Sequence, residues 1–324
     1  MEMQTVTTPP AANNGGATSS TSAPATVSQP RQPQCEPRTI YDDVTSTLQA
    51  IARERARPLL ALVSKYINSD DFDELYSWRY ALREATQRTS LDVLIYSPGG
   101  HLTACYSIAR LLSRITNEWE ALIPEKAWSG ATLICLGSSN LVMAECGQLG
   151  PLDPQVLSKK RGKFFAAERQ SPLEAFQALK YLREFVVSTV DALMEQLTDR
   201  GVAAQIALET AGKLATDLAR PVLEKIEPYD LGAFSLDTKL AMDYCRDVAR
   251  PTDQRKKTQR RALFKSLVED YPAHEYSIDL GEAQVLKFNA TEPSPEVDTL
   301  LDELRPRLAQ VTAYIGLVPP EGRT

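Results

Sequence analysis

Apolar positions along this chain change rhythm several times, and each change marks an element. Residues 1 to about 37 hold hardly a large apolar side chain and are rich in Thr, Ala, Pro, Ser and Gln. Such a stretch buries too little surface to offset its chain entropy, which predicts a disordered tail. Between Asp42 and Ile67 the residues Leu48, Ile51, Leu59, Leu62, Val63 and Tyr66 recur at helical spacing, with Pro58 expected to kink or split the segment. Asp71 to Ala85 predicts a further helix capped by Ser69 or Asp70. A denser block follows. Leu91–Tyr96 reads as a buried strand, Thr103–Ile115 as a helix, Trp119–Ile123 as a second strand, Ser129 to about Leu136 as a second helix and Asn140–Met143 as a third strand. Strands alternating with helices at this spacing predict an α/β fold with a mostly parallel sheet.

Past a turn-rich loop, Gly147 to Gln155, the pattern becomes helical. Ser171-Pro172-Leu173-Glu174 fits a capping box with proline at the first helical position. Leu179, Leu182, Val186, Val190, Leu193 and Leu197 then form one apolar stripe that Gly201 is suited to end. Further helices are expected from Ala203 to Ala219, stopping before Pro221, from Thr238 to Ala249 and from Ala262 to Val268. Arg250 to Arg261 is basic and polar and reads as an exposed loop.

Composition narrows the class. The chain has 324 residues, enough for one large domain or two modest ones, and its 43% hydrophobic and 24% charged content is that of a soluble globular protein. A net charge of -6 gives no sign of a nucleic-acid partner. Cys35, Cys105, Cys135, Cys146 and Cys245 are scattered and form no CxxC, so neither a disulfide framework nor a metal site is expected. No run approaches the roughly 18 apolar residues of a membrane span, and the N-terminus lacks the apolar core of a signal peptide. A reducing, cytoplasmic location is the expectation.

The candidate chemistry lies in two stretches, Ser97-Pro98-Gly99-Gly100 and Ala127-Trp128-Ser129-Gly130-Ala131-Thr132-Leu133-Ile134. A serine hydroxyl becomes a nucleophile when a base takes its proton and N–H donors receive the charge on the attacked carbonyl. Ser129 stands where a helix begins, Gly130 offers one N–H, and Gly99 and Gly100 can lie flat against a ligand. On spacing alone, a serine in this position most often only caps its helix. G-x-S-x-G is absent, so an α/β-hydrolase elbow is not indicated.

Taken in order with Leu149-Gly150-Pro151-Leu152-Asp153-Pro154-Gln155, these stretches resemble the serine dehydrogenase proteinase family of the Clp-protease/crotonase fold group, related to signal peptide peptidase A. That family shows a T-P-G-G turn, an A-M-S-A-G-T-L-I segment and a G-P-V-D-P-Q loop. The likeness runs from about residue 45 to 290 and includes His274-Glu275-Tyr276-Ser277-Ile278, where the family has H-D-(F/Y)-x-I. Ser97 replaces the usual Thr, Trp128 stands where the family has a small or flexible apolar residue, and Gly130-Ala131 inverts its Ala-Gly order.

The resemblance implies a Clp/crotonase-like serine peptidase domain over residues 38–290, between the 1–37 tail and a 291–324 C-terminal extension. It implies Ser129 as nucleophile and Gly99, Gly100 and Gly130 as the oxyanion hole. It further implies peptide or protein substrates, a homo-oligomer and no cofactor; without a P-loop, unfolding would fall to a separate unfoldase or adaptor. The base is less marked. The chain has only His101 and His274, and no histidine follows the serine in the stretch where Clp proteases carry one. Signal-peptide-peptidase relatives use lysine, and Lys180 lies at a similar separation from the serine. Glu184 follows four residues later, so a surface ion pair is the plain alternative for Lys180. Lys159, Lys160 and Lys163 crowd with Arg161 as a solvated patch. Asp153 and His274 are possible supporting groups. Two other functions stay open, an acyl-thioester enzyme of crotonase type and a non-catalytic scaffold that retains the fold.

Overall fold

Strands that are apolar on both faces build a sheet that is covered on both. In the computed structural model the described residues are 37–87, 89–116, 118–152, 156–157, 169–170, 172–224, 228–249, 257–271, 273 and 275–319. The first half contains α1 (Pro37–Glu54), β1 (Leu59–Ser64), α2 (Ser69–Ser77), α3 (Arg79–Ala85), β2 (Leu91–Tyr96), α4 (Leu102–Ile115), β3 (Trp119–Ile123), β4 (Lys126–Ala127), α5 (Gly130–Cys135), β5 (Asn140–Met143) and β6 (Gln148–Leu149). After β7 (Val156–Leu157) and β8 (Arg169–Gln170) come α6 (Pro172–Asp199), α7 (Ala204–Leu223), α8 (Pro228–Val248), α9 (Lys257–Lys265), a π-helical turn (Ser266–Asp270), α10 (Leu280–Val285), β9 (Ala290–Thr291), α11 (Pro295–Leu308) and β10 (Ala313–Val318).

The main sheet has six described strands in the order β10-β1-β2-β3-β5-β9. All neighbours are parallel except β10, which pairs antiparallel with β1, Leu62 opposite Ile315. Alternate residues face opposite sides. Leu60, Leu62, Val93 and Ile95 join a core with α4, α5 and α8. Leu59, Ala61, Val63, Leu94 and Leu122 join a second core with Val44, Leu48 and Ile51 of α1 and Leu301, Leu304 and Leu308 of α11. Two-sided burial explains why these strands carry unbroken apolar runs. Each fully buried Leu or Ile contributes about 1.5–3 kcal/mol. At the N-terminal ends of β2 and β3, Arg55 and Arg57 close over Asp92 and Glu120. The parallel strands point their C-terminal ends the other way, towards the glycine turn and Ser129.

Several sequence expectations need correction. The expected helix from Asp42 to Ile67 ends at Glu54, and Leu59–Ser64 is the strand β1, because a short run buried on both faces carries no periodicity to tell strand from helix. Asn68 caps α2, its side chain accepting from the N–H groups of Asp70 and Asp71 while Asp71 accepts from Asn68 N–H, a reciprocal capping box. Helix α7 continues through Pro221 to Leu223, its Ala207, Ala211, Ala215 and Ala219 stripe buried. Helix α8 starts at Pro228, well before Thr238. Residues 291–318, set apart above as an extension, supply α11 and the edge strand β10. The tail through Glu36 lies outside the described residues.

Candidate active site

Beyond the end of β2 the chain crosses to β4. Ser97 N–H donates to the Lys126 carbonyl at 2.9 Å, and Trp128 N–H donates to the Ser97 carbonyl at 3.0 Å. Gly99 N–H donates to Ser97 Oγ at 3.0 Å. With φ at 111°, Gly99 holds a backbone shape that side chains resist. A Cβ there would lie 2.8 Å from the Trp128 carbonyl oxygen and 2.9 Å from Ser129 Cβ. The glycine turn therefore rests directly on the serine.

Gly100 is oriented by its neighbours. Ile67 N–H donates to the Gly99 carbonyl at 2.9 Å, and the Ile67 carbonyl accepts from His101 N–H at 2.7 Å. In a parallel bridge of this kind the middle residue turns its own N–H and C=O away from the partner strand. Gly130 is a near neighbour, since a Cβ on it would sit 3.5 Å from Gly100 N. Neither Gly100 N–H nor Gly130 N–H has an acceptor among the described residues. Gly99 N–H, by contrast, is committed to Ser97.

Ser129 occupies the junction between β4 and α5 with φ 50° and ψ −120°. That backbone shape is the first central position of a type II′ turn, a place for glycine. A serine held there stores about 1–3 kcal/mol. Although Ser129 stands at the N-cap of α5, its side chain caps nothing. Its hydroxyl, half-buried, has no hydrogen-bond partner among the described residues. The helix-cap alternative for this serine therefore does not describe its geometry. A short strand, a strained serine and a helix thus follow one another closely, without a G-x-S-x-G motif.

The strain is held by neighbours, and the sequence pattern did not single out one of them. Thr132, fully buried on α5, places Oγ1 2.7 Å from the Ala127 carbonyl and 2.8 Å from the Gly150 carbonyl, and accepts Gly150 N–H at 3.1 Å. The signal for it was a hydroxyl inside an otherwise apolar run, since a buried hydroxyl needs partners. Leu149 and Ile278 exchange both backbone hydrogen bonds at 2.9 Å. The glycine turn, the serine segment, the Gly150 loop and the Ile278 segment, scattered in sequence, thus meet at one place.

Other expected site residues fall elsewhere. Lys180 is exposed on α6 and lines a cavity of about 700 Å3 whose lining does not include Ser129. His101 is exposed at the start of α4 and caps nothing. Asp153, Lys159, Lys160, Lys163 and His274 lie outside the described residues. Trp128 is half-buried with Nε1 unpartnered, and the Lys126 ammonium stands 5.1 Å from the Tyr96 ring and 5.9 Å from the Trp128 ring. Cys105 packs on Gly130, and burial pushes its thiol up. Among the described residues no group of His, Cys, Asp and Glu is placed to hold a metal, and no helix is long and apolar enough to cross a membrane.

Comparison with known proteins adds to the geometry. The family model described as "ClpP-like SDH-type serine proteinase" matches residues 39–219. Two uncharacterized proteins of Methanocaldococcus jannaschii are similar in part. One is 33% identical over 113 residues, covering 35% of this chain and 38% of that protein. The other is 31% identical over 133 residues, covering 41% and 42% respectively. The matches thus span less than half the length of these curated relatives. Two solved structures of a 1510-N membrane-bound stomatin-specific protease overlap 47% of this chain. A serine-to-alanine mutant is 18% identical at a TM-score of 0.29, covering 67% of that chain. A lysine-to-alanine mutant in complex with a substrate peptide is 17% identical at a TM-score of 0.30, covering 63%. At these scores the overlap assigns no role to any residue here.

Proposed function

This chain belongs to the ClpP-like SDH-type serine proteinase family, and from that premise we propose that it hydrolyses peptide bonds with Ser129 as nucleophile. The observation that carries the reading is the backbone of Ser129, strained at φ 50° with a hydroxyl that serves no capping role. Strain of this kind is kept where the surroundings over-determine it, and such places cluster at active sites.

In this reading Ser129 Oγ attacks the carbonyl carbon of the scissile bond and its proton passes to a base. The charge that develops on the carbonyl oxygen is received by Gly100 and Gly130, whose N–H groups have no acceptor among the described residues. One such donor is worth about 10²–10³ in rate. Gly99, with its N–H spent on Ser97, shapes the turn. The base then protonates the leaving amine, and water cleaves the acyl-enzyme by the reverse sequence. We assign the base to Lys180, with Asp153 and His274 in supporting roles. The support is its separation from Ser129 along the chain, similar to that in signal-peptide-peptidase relatives; a lysine base must also be desolvated to lose its proton near neutral pH. Lys180 is solvent-exposed as it stands, so the dyad requires α6, of this chain or of a second copy in a homo-oligomer, to close over Ser129. Substrates are peptides or proteins in the cytoplasm, delivered unfolded by a partner.

A fluorophosphonate probe tests the nucleophile. The wild-type chain should label and Ser129→Ala should not; peptide hydrolysis at full rate by Ser129→Ala would overturn the reading. Lys180→Ala, folded by circular dichroism, should lose hydrolysis, and full activity would remove Lys180 from the mechanism while leaving Ser129 in place.

A further inference from the structure

Two cavities away from Ser129 share a wall. The larger, of about 700 Å3, lies among α6, α8 and the π-helical turn; the smaller, of about 480 Å3, lies between α8 and α9; Met242 and Arg246 of α8 line both. Helices α8 and α9 lie beyond residues 39–219, the span of the family model.

Their charges differ. Arg246, Arg260 and Arg261 surround the smaller cavity over Met242 and Phe264, and among the described residues no carboxylate lines it. The larger is mixed, lined by Lys180, Lys239 and Arg246 as well as by Asp243, Glu269 and Asp270. Arg246 is engaged by Asp243 at 2.7 Å, and Asp270 by Lys265 at 3.7 Å. Lys239, Arg260 and Arg261 pair with no carboxylate among the described residues. In a chain of net charge -6, three guanidinium groups around one hollow are a local reversal.

The wall itself is unusual. π-Helical turns are rare and recur at functional sites. Here the Leu267 carbonyl within that turn accepts Leu152 N–H at 2.7 Å, which joins the cavity wall to the Gly150 loop beside Ser129.

Guanidinium groups match carboxylates through paired N–H donors. A continuous polyanion would meet Asp243, Glu269 and Asp270 in the larger cavity, and Phe264, the one aromatic among the described lining residues, is buried and offers bases no platform. At about 700 and 480 Å3, each hollow falls in the size range of ligand sites. We propose that the paired cavities, the larger of which Lys180 also lines and neither of which Ser129 lines, are a docking site for an acidic peptide segment. Its carboxylate side chains sit against Arg246, Arg260 and Arg261, and its polar or basic continuation lies along Lys239 and the acidic wall. The proposal does not depend on Ser129 chemistry.

Fluorescence anisotropy tests it, with the full chain carrying Ser129→Ala so that binding is read without hydrolysis. The probes are a labelled peptide bearing several glutamates and its glutamine counterpart. The acidic peptide should bind and the neutral one should not. Arg260→Glu/Arg261→Glu should weaken binding by about tenfold or more. Arg260→Gln/Arg261→Gln, which keeps the side-chain bulk, should weaken it in the same direction should the charge-reversed chain fail to fold. Equal binding of the two peptides, undiminished binding by the folded glutamine variant, or tighter arginine-dependent binding of an oligonucleotide of equal charge would overturn the proposal.

Discussion

Thr132 Oγ1 accepts the Gly150 N–H at 3.1 Å, and through this bond the third residue of α5 is tied to the loop after β6. The same oxygen reaches the carbonyls of Ala127 and Gly150, so one buried hydroxyl serves the strand before Ser129, the helix after it and the loop beside it. Thr132→Val keeps the volume and strands these groups without water. It should cost about 1–3 kcal/mol and lower the rate of fluorophosphonate labelling, while Thr132→Ser restores most of both. Thermal unfolding and labelling rates on the three proteins check this. Unchanged values in Thr132→Val would mean that the bond holds nothing in place.

Glycine ordinarily destabilises a position relative to alanine by about 0.5–1 kcal/mol. At Ser129 the order should reverse. Ser129→Gly relieves the φ 50° strain, whereas Ser129→Ala retains it, so the glycine variant should be the more stable of the two by about 1 kcal/mol. Both should be inactive. Denaturant midpoints of the two variants decide the sign, and a less stable glycine variant would show that the backbone there is not strained.

Gly99→Ala meets two obstacles at once, a φ of 111° and a Cβ 2.8 Å from the Trp128 carbonyl. The backbone penalty alone is about 1–3 kcal/mol. Because the obstructing atoms belong to Trp128 and Ser129, relaxation displaces the serine. The variant should remain folded at low temperature yet label far more slowly than wild type. Labelling at the wild-type rate in a folded Gly99→Ala chain would detach the turn from the serine.

At the far end of the sheet, Glu120 titrates abnormally. Burial opposes its ionisation, but the hydrogen bond from Arg57 and the charges of Arg57 and Arg55 outweigh it and hold the carboxyl below its usual range. A depressed folded pKa stabilises the fold above the unfolded value, about 4.3 for glutamate, and that contribution is lost as pH falls through the folded pKa. Asp92 runs the other way: burial pushes it up despite Arg55 and Arg57, so its contribution is largest in acid and is lost as pH rises through its folded pKa. Comparing wild type with Glu120→Gln isolates the first effect. The wild type should be more stable near neutral pH by about 1 kcal/mol, and the gap should close as pH falls below about 4. A gap that is flat with pH would remove Glu120 as its source.

Much of this arrangement was legible because glycines and apolar runs mark it. The strands Leu91–Tyr96, Trp119–Ile123 and Asn140–Met143, and the helix beginning after Ser129, stand where the pattern places them. Leu59–Ser64 did not, because burial on both faces erases the alternation that identifies a strand. Motif order groups the segments of Ser97, Ser129, Gly150 and Ile278, but spacing says nothing about which loops touch, so their meeting becomes visible only in the fold. Backbone strain at Ser129 was invisible, being imposed by Gly99, Thr132 and their contacts rather than by serine itself. Lys180 stands out in the sequence by its separation from Ser129 along the chain, which does not fix a distance between them in space.

The antiparallel pairing of β1 with β10 also bears on how the chain comes into being. Strand β1 takes one neighbour from β2, which emerges soon after it, and the other from β10, which is made only after every helix from α6 to α11. During synthesis one side of Leu59–Ser64 therefore waits with its N–H and C=O groups unpaired and its leucines partly uncovered, as an open edge that invites strands from other chains. Final closure of the sheet is therefore a late event in the synthesis of each molecule, and until it occurs β1 keeps an unpaired edge.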